Sequence, residues 1–499
     1  MLDVLSSADS VTAVLLIGGL LIAFGFEFVN GFHDTANAVA TVIYTRSLRP
    51  GAAVAWSGVW NALGVLHASA TGLVVAFSIV HLLPVDLLVD SGRGAGMAMV
   101  FSLLLAAVIW NLGTWLFGLP ASSSHTLIGA VLGVGLAASW GGTGGFGTGV
   151  NWAKAGQVLL SLIISPAIGV AAGALLLWLV RRFFSAPQLH APAAADAPPP
   201  AGVRALLVAA CTGVSFAHGS NDGQKGIGLI MLILIGVMPA AFALDTRTPG
   251  SLPAASTAIN RLDAALARGE AEGQDHVEVG GASGSHEGGA EWQHVRLTPR
   301  PFEGPTGDLR PEIAGLGEQL RRFGAAGEVP PDERWALRTR ILRARQAIVD
   351  YEAHHAATMS SGLRHELRDQ AARLAALTEY APGWVPIGVA LALGLGTMVG
   401  WKRIVVTVGE KIGATPMSYA QGASAQVVTA ATILAADVAG APVSTTHVLS
   451  SAIAGSMAAG GSALQPATLR SIALAWVLTL PASLALGAVL YLIARRFVG

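Results

Sequence analysis

Two short polar stretches contain the residues best suited to bind an anion. Each is a run of hydroxyl side chains closed by a histidine: Pro120-Ala-Ser-Ser-Ser-His125 and, much later, Pro442-Val-Ser-Thr-Thr-His447. A proline followed by Ser or Thr is typical of a helix N-terminus, where free backbone N–H groups and hydroxyls together bind anions. Both stretches lie in apolar sequence, so they predict two hairpins that face each other around a small anion. The candidate binding residues are Ser122, Ser123, Ser124, Ser444, Thr445 and Thr446.

A simpler interpretation is that these hydroxyls only cap two re-entrant helices. Recurrence of the whole stretch in both halves of the chain favours the binding function instead.

An aspartate motif precedes each hydroxyl stretch. In the first motif Asp34 and Asn37 are three residues apart and would share a helix face. Polar residues at membrane depth beside a glycine, here Gly31, predict a broken helix whose freed carbonyls and side chains bind ions. Asp34 could alternatively cap a helix that begins at Thr35. The candidate supporting residues nearby are Glu27 and His33.

The second aspartate motif aligns Asp222 with Asp34 and Lys225 with Asn37. Lys225 follows Asp222 by three residues, so the two can form an ion pair on one helix. The ammonium group would repel sodium from Asp222 and favour an anion or a proton-linked response. A purely structural ion pair is the alternative. Further candidates are Asn221, with Lys225, for anion binding and His125, His218 and His447 for support.

The two kinds of motif occur in the same order twice, which predicts a duplicated membrane unit. Pro120 follows Asp34 by 86 residues (120 minus 34), whereas Pro442 follows Asp222 by 220 (442 minus 222). The excess of 134 residues predicts an insert, which we place at 244–381. This region carries 16 of the 30 basic and 20 of the 30 acidic residues of the chain.

The two parts of the insert have different patterns. Residues 250–330 are rich in Gly, Glu and Ala and are predicted to be irregular. From Pro331 to Leu377 the spacing of Trp335, Leu337, Ile341 and Ile348 predicts one or two amphipathic helices. We expect a solvated appendage there, and no resident metal site.

The composition is that of a polytopic membrane protein. Of 499 residues, 53% are hydrophobic and only 12% are charged, against about 25% charged in soluble domains. The apolar segments predict ten to twelve membrane helices. A single cysteine, Cys211, excludes an internal disulfide framework, and a net charge of zero gives no indication of nucleic-acid binding.

The predicted fold class is an all-α membrane protein with an inverted repeat, broken helices and two re-entrant hairpins. Arginine pairs such as Arg181-Arg182 are expected on the cytoplasmic side. The predicted segments are a first membrane repeat at 1–182 with hairpin 1 at about 120–140, a Pro/Ala-rich linker at 183–202, a second repeat beginning at 203–243, the insert at 244–381, and the rest of that repeat at 382–499 with hairpin 2 at about 442–460.

Four motifs resemble the inorganic phosphate transporters of the Pit family. They are G-F-H-D-T-A-N-A at 31–38, G-L-P-A-S-S-S-H-T-L-I-G at 118–129, F-A-H-G-S-N-D-G-Q-K-G at 216–226 and G-A-P-V-S-T-T-H-V at 440–448. The resemblance covers the chain except the insert. It implies a homodimeric symporter in a bacterial inner membrane, with phosphate between the two hairpins and ions near Asp34, Asn37 and Asp222.

Lys225 bears on the coupling ion. Sodium-coupled members of the family resemble the first motif in both halves, with Asn at this position. Bacterial low-affinity members share the N-D-G-Q-K form, which implies proton coupling and phosphate carried with a divalent metal. A sodium-coupled phosphate symporter and a carrier of another small oxyanion remain the alternatives.

Two other classes of protein fit less well. An intramembrane hydrolase would pair a serine with His125 or His447, but no G-x-S-x-G motif is present, and duplication suits alternating access better than catalysis. We therefore predict no enzyme activity and no cofactor. A channel differs from a carrier in lacking stoichiometric ion coupling.

Overall fold

The computed structural model describes residues 9–82, 93–140, 145–147, 149–193, 197–274, 309–355 and 359–498. In these ranges the backbone is helical apart from turns, connecting segments and two isolated bridges. The chain divides into two compact units, one formed by Met1–Val237 with Ala381–Gly499 and the other by Met238–Tyr380. The residue bounds of the second unit nearly coincide with those of the predicted insert, 244–381.

The helices of the first unit are numbered here in chain order. They are α1 (Ser10–Tyr44), α2 (Pro50–Thr71), α3 (Val74–Val80), α4 (Arg93–Leu116), α5 (Ser123–Ser139), α6 (Trp152–Phe183), α7 (Pro187–His190), α8 (Ala201–Val237) and, after the second unit, α14 (Trp384–Thr397), α15 (Lys402–Glu410), α16 (Tyr419–Val438), α17 (Thr445–Ala459) and α18 (Pro466–Val498).

The predicted breaks at the aspartate motifs are absent, because α1 and α8 run through Asp34 and Asp222 without interruption. The glycines of these motifs allow close helix contact instead. A Cβ atom at Gly31 would lie 2.3 Å from the Leu393 carbonyl oxygen. Such packing outweighs the roughly 1 kcal/mol by which Gly disfavours a helix interior. Ion ligands at these motifs must therefore be side chains. The chain is broken elsewhere, between α2 and α3, which bend by 84°.

The number of long apolar helices is smaller than the ten to twelve predicted membrane helices. Five helices in the described ranges could cross a membrane by length and composition, or six if α2 and α3 form one bent span. Two shorter apolar helices, α5 and α14, are the other candidates. The continuous apolar part of α16 is short because the helix contains buried polar residues such as Gln421 and Gln426.

Each hairpin helix packs against the last helix of the other half of the sequence. In α5, a Cβ atom at Gly133 would lie 2.0 Å from the Leu484 carbonyl oxygen of α18. In α17, a Cβ atom at Gly455 would lie 2.2 Å from the Val170 carbonyl oxygen of α6. Small residues thus bring both pairs of helix backbones into direct contact.

The segments that lead into the two hairpins are held by matching hydrogen bonds. The Thr407 hydroxyl of α15 donates to the carbonyl of Gly118 at 2.9 Å, just before hairpin 1. The Ser78 hydroxyl of α3 donates to the carbonyl of Gly440 at 2.9 Å, just before hairpin 2. Each hairpin is therefore supported by a short helix from the opposite half of the sequence.

The second unit is a helical bundle with its own apolar core. Its helices are α9 (Pro239–Phe242), α10 (Ser251–Gln274), α11 (Leu309–Arg321), α12 (Arg334–His354) and α13 (Ser361–Ala375). The irregular structure predicted for 250–330 is wrong where α10 and α11 lie, and residues 275–308 are outside the described ranges. Leu252, Ala255, Ile259 and Leu262 recur at helical spacing and are buried, a pattern that the polar composition conceals.

The two ends of the second unit are tied together. The Asp245 N–H donates to the Leu377 carbonyl at 2.8 Å, and the buried Arg338 guanidinium donates to the carbonyls of Ala243 and Thr378. Burial raises the pKa of Tyr380 to about 12, so its hydroxyl stays protonated and donates to the Phe242 carbonyl at 3.2 Å.

We expect the second unit to be dispensable for the phosphate transport that the resemblance implies. Because its ends are within hydrogen-bonding distance, a short glycine/serine linker can replace residues 250–375 without stretching the chain. The deletion protein should retain most of its uptake when reconstituted in vesicles. A monodisperse deletion protein that transports nothing would contradict this expectation.

We expect Gly219→Ala to destabilise the first unit. Its Cβ atom would lie 2.0 Å from the backbone oxygen of Asn61, so α8 and α2 would have to separate, at a cost of about 1–3 kcal/mol. Thermal unfolding in detergent should show a lower Tm. The matched control is Gly202→Ala in the same helix, where the new Cβ atom would meet nothing within 4 Å. Equal Tm values for the two variants would disprove the close contact.

Candidate functional site

The first residue of each hydroxyl stretch caps a hairpin helix. The Ser122 hydroxyl accepts a hydrogen bond from the His125 N–H at 3.2 Å, and the Ser444 hydroxyl accepts one from the His447 N–H at 3.1 Å. The capping interpretation therefore holds for these two serines. It also explains why α5 and α17 begin where they do, since an N-cap side chain satisfies one of the free N–H groups of the first turn.

One further hydroxyl of each hairpin donates to Asp34. The Ser123 hydroxyl donates to Asp34 Oδ2 at 2.7 Å, and the Thr446 hydroxyl donates to Asp34 Oδ1 at 2.7 Å. His33 Nδ1 lies 3.3 Å from Oδ1. Asp34 is 2% exposed. One buried carboxylate thus connects α1 with the tips of both hairpins.

Lys225 makes the matching connection from α8. Its Nζ donates to Asp222 Oδ1 at 2.6 Å, which confirms the predicted ion pair, and to the Ser124 hydroxyl at 2.5 Å. It also donates to the carbonyl of Val443 at 3.1 Å, and the Ser124 hydroxyl donates to the same carbonyl at 2.9 Å. The lysine therefore contacts hairpin 1 and the segment that leads into hairpin 2.

The two carboxylates are close to each other, with His218 beside both. Its Nε2 lies 3.8 Å from Asp34 Oδ2 and 3.5 Å from Asp222 Oδ2, and its Nδ1 is 2.8 Å from Asn61 Oδ1. One ligand atom from each of Asp34, His218 and Asp222 lies within 4.8 Å of the others. Such a set of oxygen and imidazole donors can hold a divalent cation.

Two further histidines, His125 and His447, lie between the hairpin helices. The rings of His125 and His447 are 4.4 Å apart, and His447 stacks on Trp476 of α18 at 4.1 Å. The Trp476 indole N–H donates to the carbonyl of Pro120 at 3.3 Å. These histidines lie at the contact between the hairpins and form no hydrogen bond with Asp34 or Asp222.

Other predicted residues lie outside the cluster. Asn221 donates to Asp437 Oδ1 at 2.6 Å and contacts the segment before hairpin 2, so it positions that segment. The Thr445 hydroxyl is buried without a hydrogen-bond partner in the described part of the chain. Glu27 is buried against Gly226 of α8. The side chain of Asn37 is outside what the structure describes.

Three supporting residues were missed by the sequence analysis. Asn61 fixes His218, and its amide donates to the Thr397 hydroxyl at 3.0 Å. The Thr114 hydroxyl is 3.1 Å from His33 Nε2. Asp437 binds Asn221. Each of the three is a single polar side chain in an apolar segment of the sequence, and such a residue gives no indication of its partner.

Comparison with known proteins gives a consistent family. The family profile described as "Phosphate transporter family" matches residues 30–487. The low-affinity inorganic phosphate transporter PitA of Escherichia coli (strain K12) is 41% identical, with 100% of both chains covered. The low-affinity inorganic phosphate transporter of Buchnera aphidicola subsp. Acyrthosiphon pisum (strain APS) is 39% identical over 99% of each chain.

One solved structure is similar in fold. It is described as "The sodium-dependent phosphate transporter", has a TM-score of 0.53, is 20% identical, and matches 97% of this chain and 99% of its own. At this identity the similarity concerns the arrangement of helices and does not extend to the coupling ion.

Proposed function

The chain belongs to the phosphate transporter family, and we propose that it takes up phosphate together with protons that neutralise Asp34 and Asp222. It is a phosphate transporter of the bacterial inner membrane, with several membrane-spanning helices, and is not an enzyme. The proposal concerns how the site couples the anion to a cation.

One observation carries the proposal: the donors suited to phosphate are bound to carboxylates. Ser123 and Thr446 donate to Asp34, and the Lys225 ammonium donates to Asp222. Phosphate needs such donors, because an oxyanion is held by hydroxyls, ammonium groups and helix N-termini. Phosphate therefore has to replace the carboxylates as the acceptor.

The charge on the two carboxylates opposes the entry of phosphate into this cluster. Two like charges 4 Å apart repel by about 4 kcal/mol at an effective dielectric constant of 20. A cation on Asp34 or Asp222 removes this repulsion and releases the hydroxyls. Anion binding and cation binding then favour each other, which is the thermodynamic requirement for symport.

Protons fit the second carboxylate better than sodium does. The Lys225 ammonium lies 2.6 Å from Asp222, so a sodium ion on this carboxylate would be repelled by a charge already present. A proton is the cation that can neutralise a carboxylate in so little space. Protonation of Asp222 would break the ion pair and leave Lys225 free to bind phosphate.

A divalent cation is a second way to neutralise the site. Asp34, His218 and Asp222 present ligand atoms within 4.8 Å of one another, so we propose that they receive the metal when phosphate is carried as a metal complex. The metal would then be cargo. Divalent metal flux that follows phosphate flux, and is lost in His218→Ala, supports this proposal.

Alternating access between two related halves explains the duplicated motifs. The reciprocal packing of α5 on α18 and of α17 on α6 supports an inverted repeat, as do the matching contacts of Thr407 and Ser78. In such a transporter one repeat rocks against the other around a substrate site between them.

We expect phosphate uptake into vesicles to be driven by an inward proton gradient. Purified protein is reconstituted, and radiolabelled phosphate uptake is measured with the outside acidic, with no gradient, and with sodium replaced by choline. Uptake should rise with the proton gradient and should not change when sodium is removed. Uptake that requires sodium and ignores the pH gradient would overturn proton coupling, while phosphate transport itself would stand.

A further inference from the structure

A surface cavity of about 620 Å³ lies beside the segment that leads into hairpin 1. One wall is the end of α4 and the residues after it, 115–118. The other wall is formed by residues 400–403 and further residues of and after α15. No residue of the carboxylate cluster lines the cavity, so it is a separate feature of the first unit.

The cavity is basic. Lys402, Arg403 and Lys411 line it, and no acidic side chain does so in the part of the chain that the structure describes. Lys402 and Lys411 have no hydrogen-bond or ion-pair partner in that part. Three cations around one cavity repel one another, and an anion between them would relieve this repulsion.

The basic wall is held in place by specific contacts. The Arg403 guanidinium lies 5.1 Å over the Trp115 ring, and its Nη1 donates to the carbonyl of Leu116 at 2.7 Å. The Trp115 indole N–H donates to the carbonyl of Gly400 at 2.8 Å, which joins the two walls. A guanidinium has five N–H donors, so Arg403 can still bind phosphate oxygens with the others.

Large apolar side chains are exposed next to these cations. Phe117 is 82% exposed and Leu116 is 53% exposed, whereas Ile404 and Val405 on the other face of α15 are buried. Basic residues next to exposed aromatic and aliphatic ones match an amphiphile, whose headgroup contacts the cations while its acyl chains contact the apolar surface.

We propose that this cavity binds a phosphate-bearing anion, either the headgroup of an anionic phospholipid or free inorganic phosphate. The exposed Leu116 and Phe117 favour the lipid. A lipid site does not depend on the proposed function. A site for free phosphate would rest on the chain's being a phosphate transporter, since it would be a second site for the same substrate.

A measurement of lipid retention tests whether the cavity binds the headgroup of an anionic phospholipid. The full-length protein is placed in nanodiscs of phosphatidylcholine with a minority of phosphatidylglycerol, and bound lipid is counted by native mass spectrometry. The wild-type protein should retain phosphatidylglycerol preferentially, and Lys402→Gln/Lys411→Gln should retain roughly tenfold less. The control, Arg495→Gln/Arg496→Gln, removes two cations from the end of α18 and should retain as much as the wild type. Gel filtration of each variant checks its folding.

Equilibrium binding tests the second source. Radiolabelled inorganic phosphate is titrated in nanodiscs of phosphatidylcholine alone, against the wild type, Ser123→Ala/Thr446→Ala and Lys402→Gln/Lys411→Gln. A phosphate site that survives the first substitution and is lost with the second assigns the cavity to free phosphate. If the lysine substitution changes neither lipid retention nor phosphate binding, the proposal is overturned. Both readouts are independent of proton coupling, which only flux measures.

Discussion

Asp34→Asn should reduce phosphate uptake to the background of protein-free vesicles while the protein remains folded. An ionisable residue inside the membrane portion is costly to keep and is expected to be functional. Asp34 accepts hydrogen bonds from Ser123 of hairpin 1 and Thr446 of hairpin 2, each at 2.7 Å. Asparagine is nearly isosteric and can still accept from a hydroxyl, but it cannot take up a proton or ligate a cation strongly. The coupling step is therefore lost although the contacts largely persist.

A matched control separates this effect from poor folding. Ser215→Ala removes a buried hydroxyl of α8 that donates to the Ser57 hydroxyl at 2.9 Å and forms no hydrogen bond with Asp34 or Asp222. It should keep most of its uptake, and both variants should elute as monodisperse protein. Asp222→Asn is expected to behave like Asp34→Asn. Near-normal uptake by either aspartate variant would refute the coupling role of that carboxylate.

Lys225→Met should abolish uptake and also lower stability. The substitution leaves the buried Asp222 carboxylate without its partner, and breaking a buried ion pair in this way costs about 3–5 kcal/mol. It also removes the donor to the Ser124 hydroxyl and the Val443 carbonyl. Uptake of radiolabelled phosphate and the Tm in detergent measure the two losses separately.

The double variant Lys225→Met/Asp222→Asn distinguishes a functional lysine from a structural one. Neutralising both partners removes the unpaired charge, so the Tm should return toward that of the wild type. Uptake should stay absent, because the ammonium that binds phosphate is still missing. Recovered uptake would mean that the ion pair is structural. Lys225→Asn differs from Lys225→Met because its amide places an oxygen ligand for a cation beside Asp222, so here we expect uptake with a changed ion dependence.

The structure brings several of the predicted candidate residues together, whereas the predicted path of the helices around them was partly wrong. Asp34, Asp222 and Lys225 were found because charged side chains are rare in apolar sequence, and the three-residue spacing correctly paired Lys225 with Asp222. The convergence of Ser123 and Thr446 on one carboxylate could not be predicted. It depends on contacts between residues 412 positions apart in the chain.

The helix breaks were mispredicted because a glycine can either interrupt a helix or let two helices pack closely. Gly31 in a polar motif indicated an interruption, yet its missing Cβ atom lets α1 approach the backbone of α14. Local sequence cannot tell a flexible glycine from a packing glycine, since the difference lies in the opposing helix. In the second unit the error was of another kind: Leu252, Ile259 and Leu262 had helical spacing that composition alone obscured.

Each hairpin helix packs against a helix from the other half of the sequence. The packing of the first half therefore cannot be completed until the second half has been synthesised. Helix α5 ends at Ser139, but its partner α18 begins only at Pro466, 327 residues later (466 minus 139). At about 5–20 residues per second, the ribosome takes roughly 15–65 s to make that stretch. Throughout this interval Gly129 and Gly133 have no partner backbone to pack against. A chain stopped before Pro466 therefore leaves the α5 face that contains Gly129 and Gly133 without its partner, however complete its first half is.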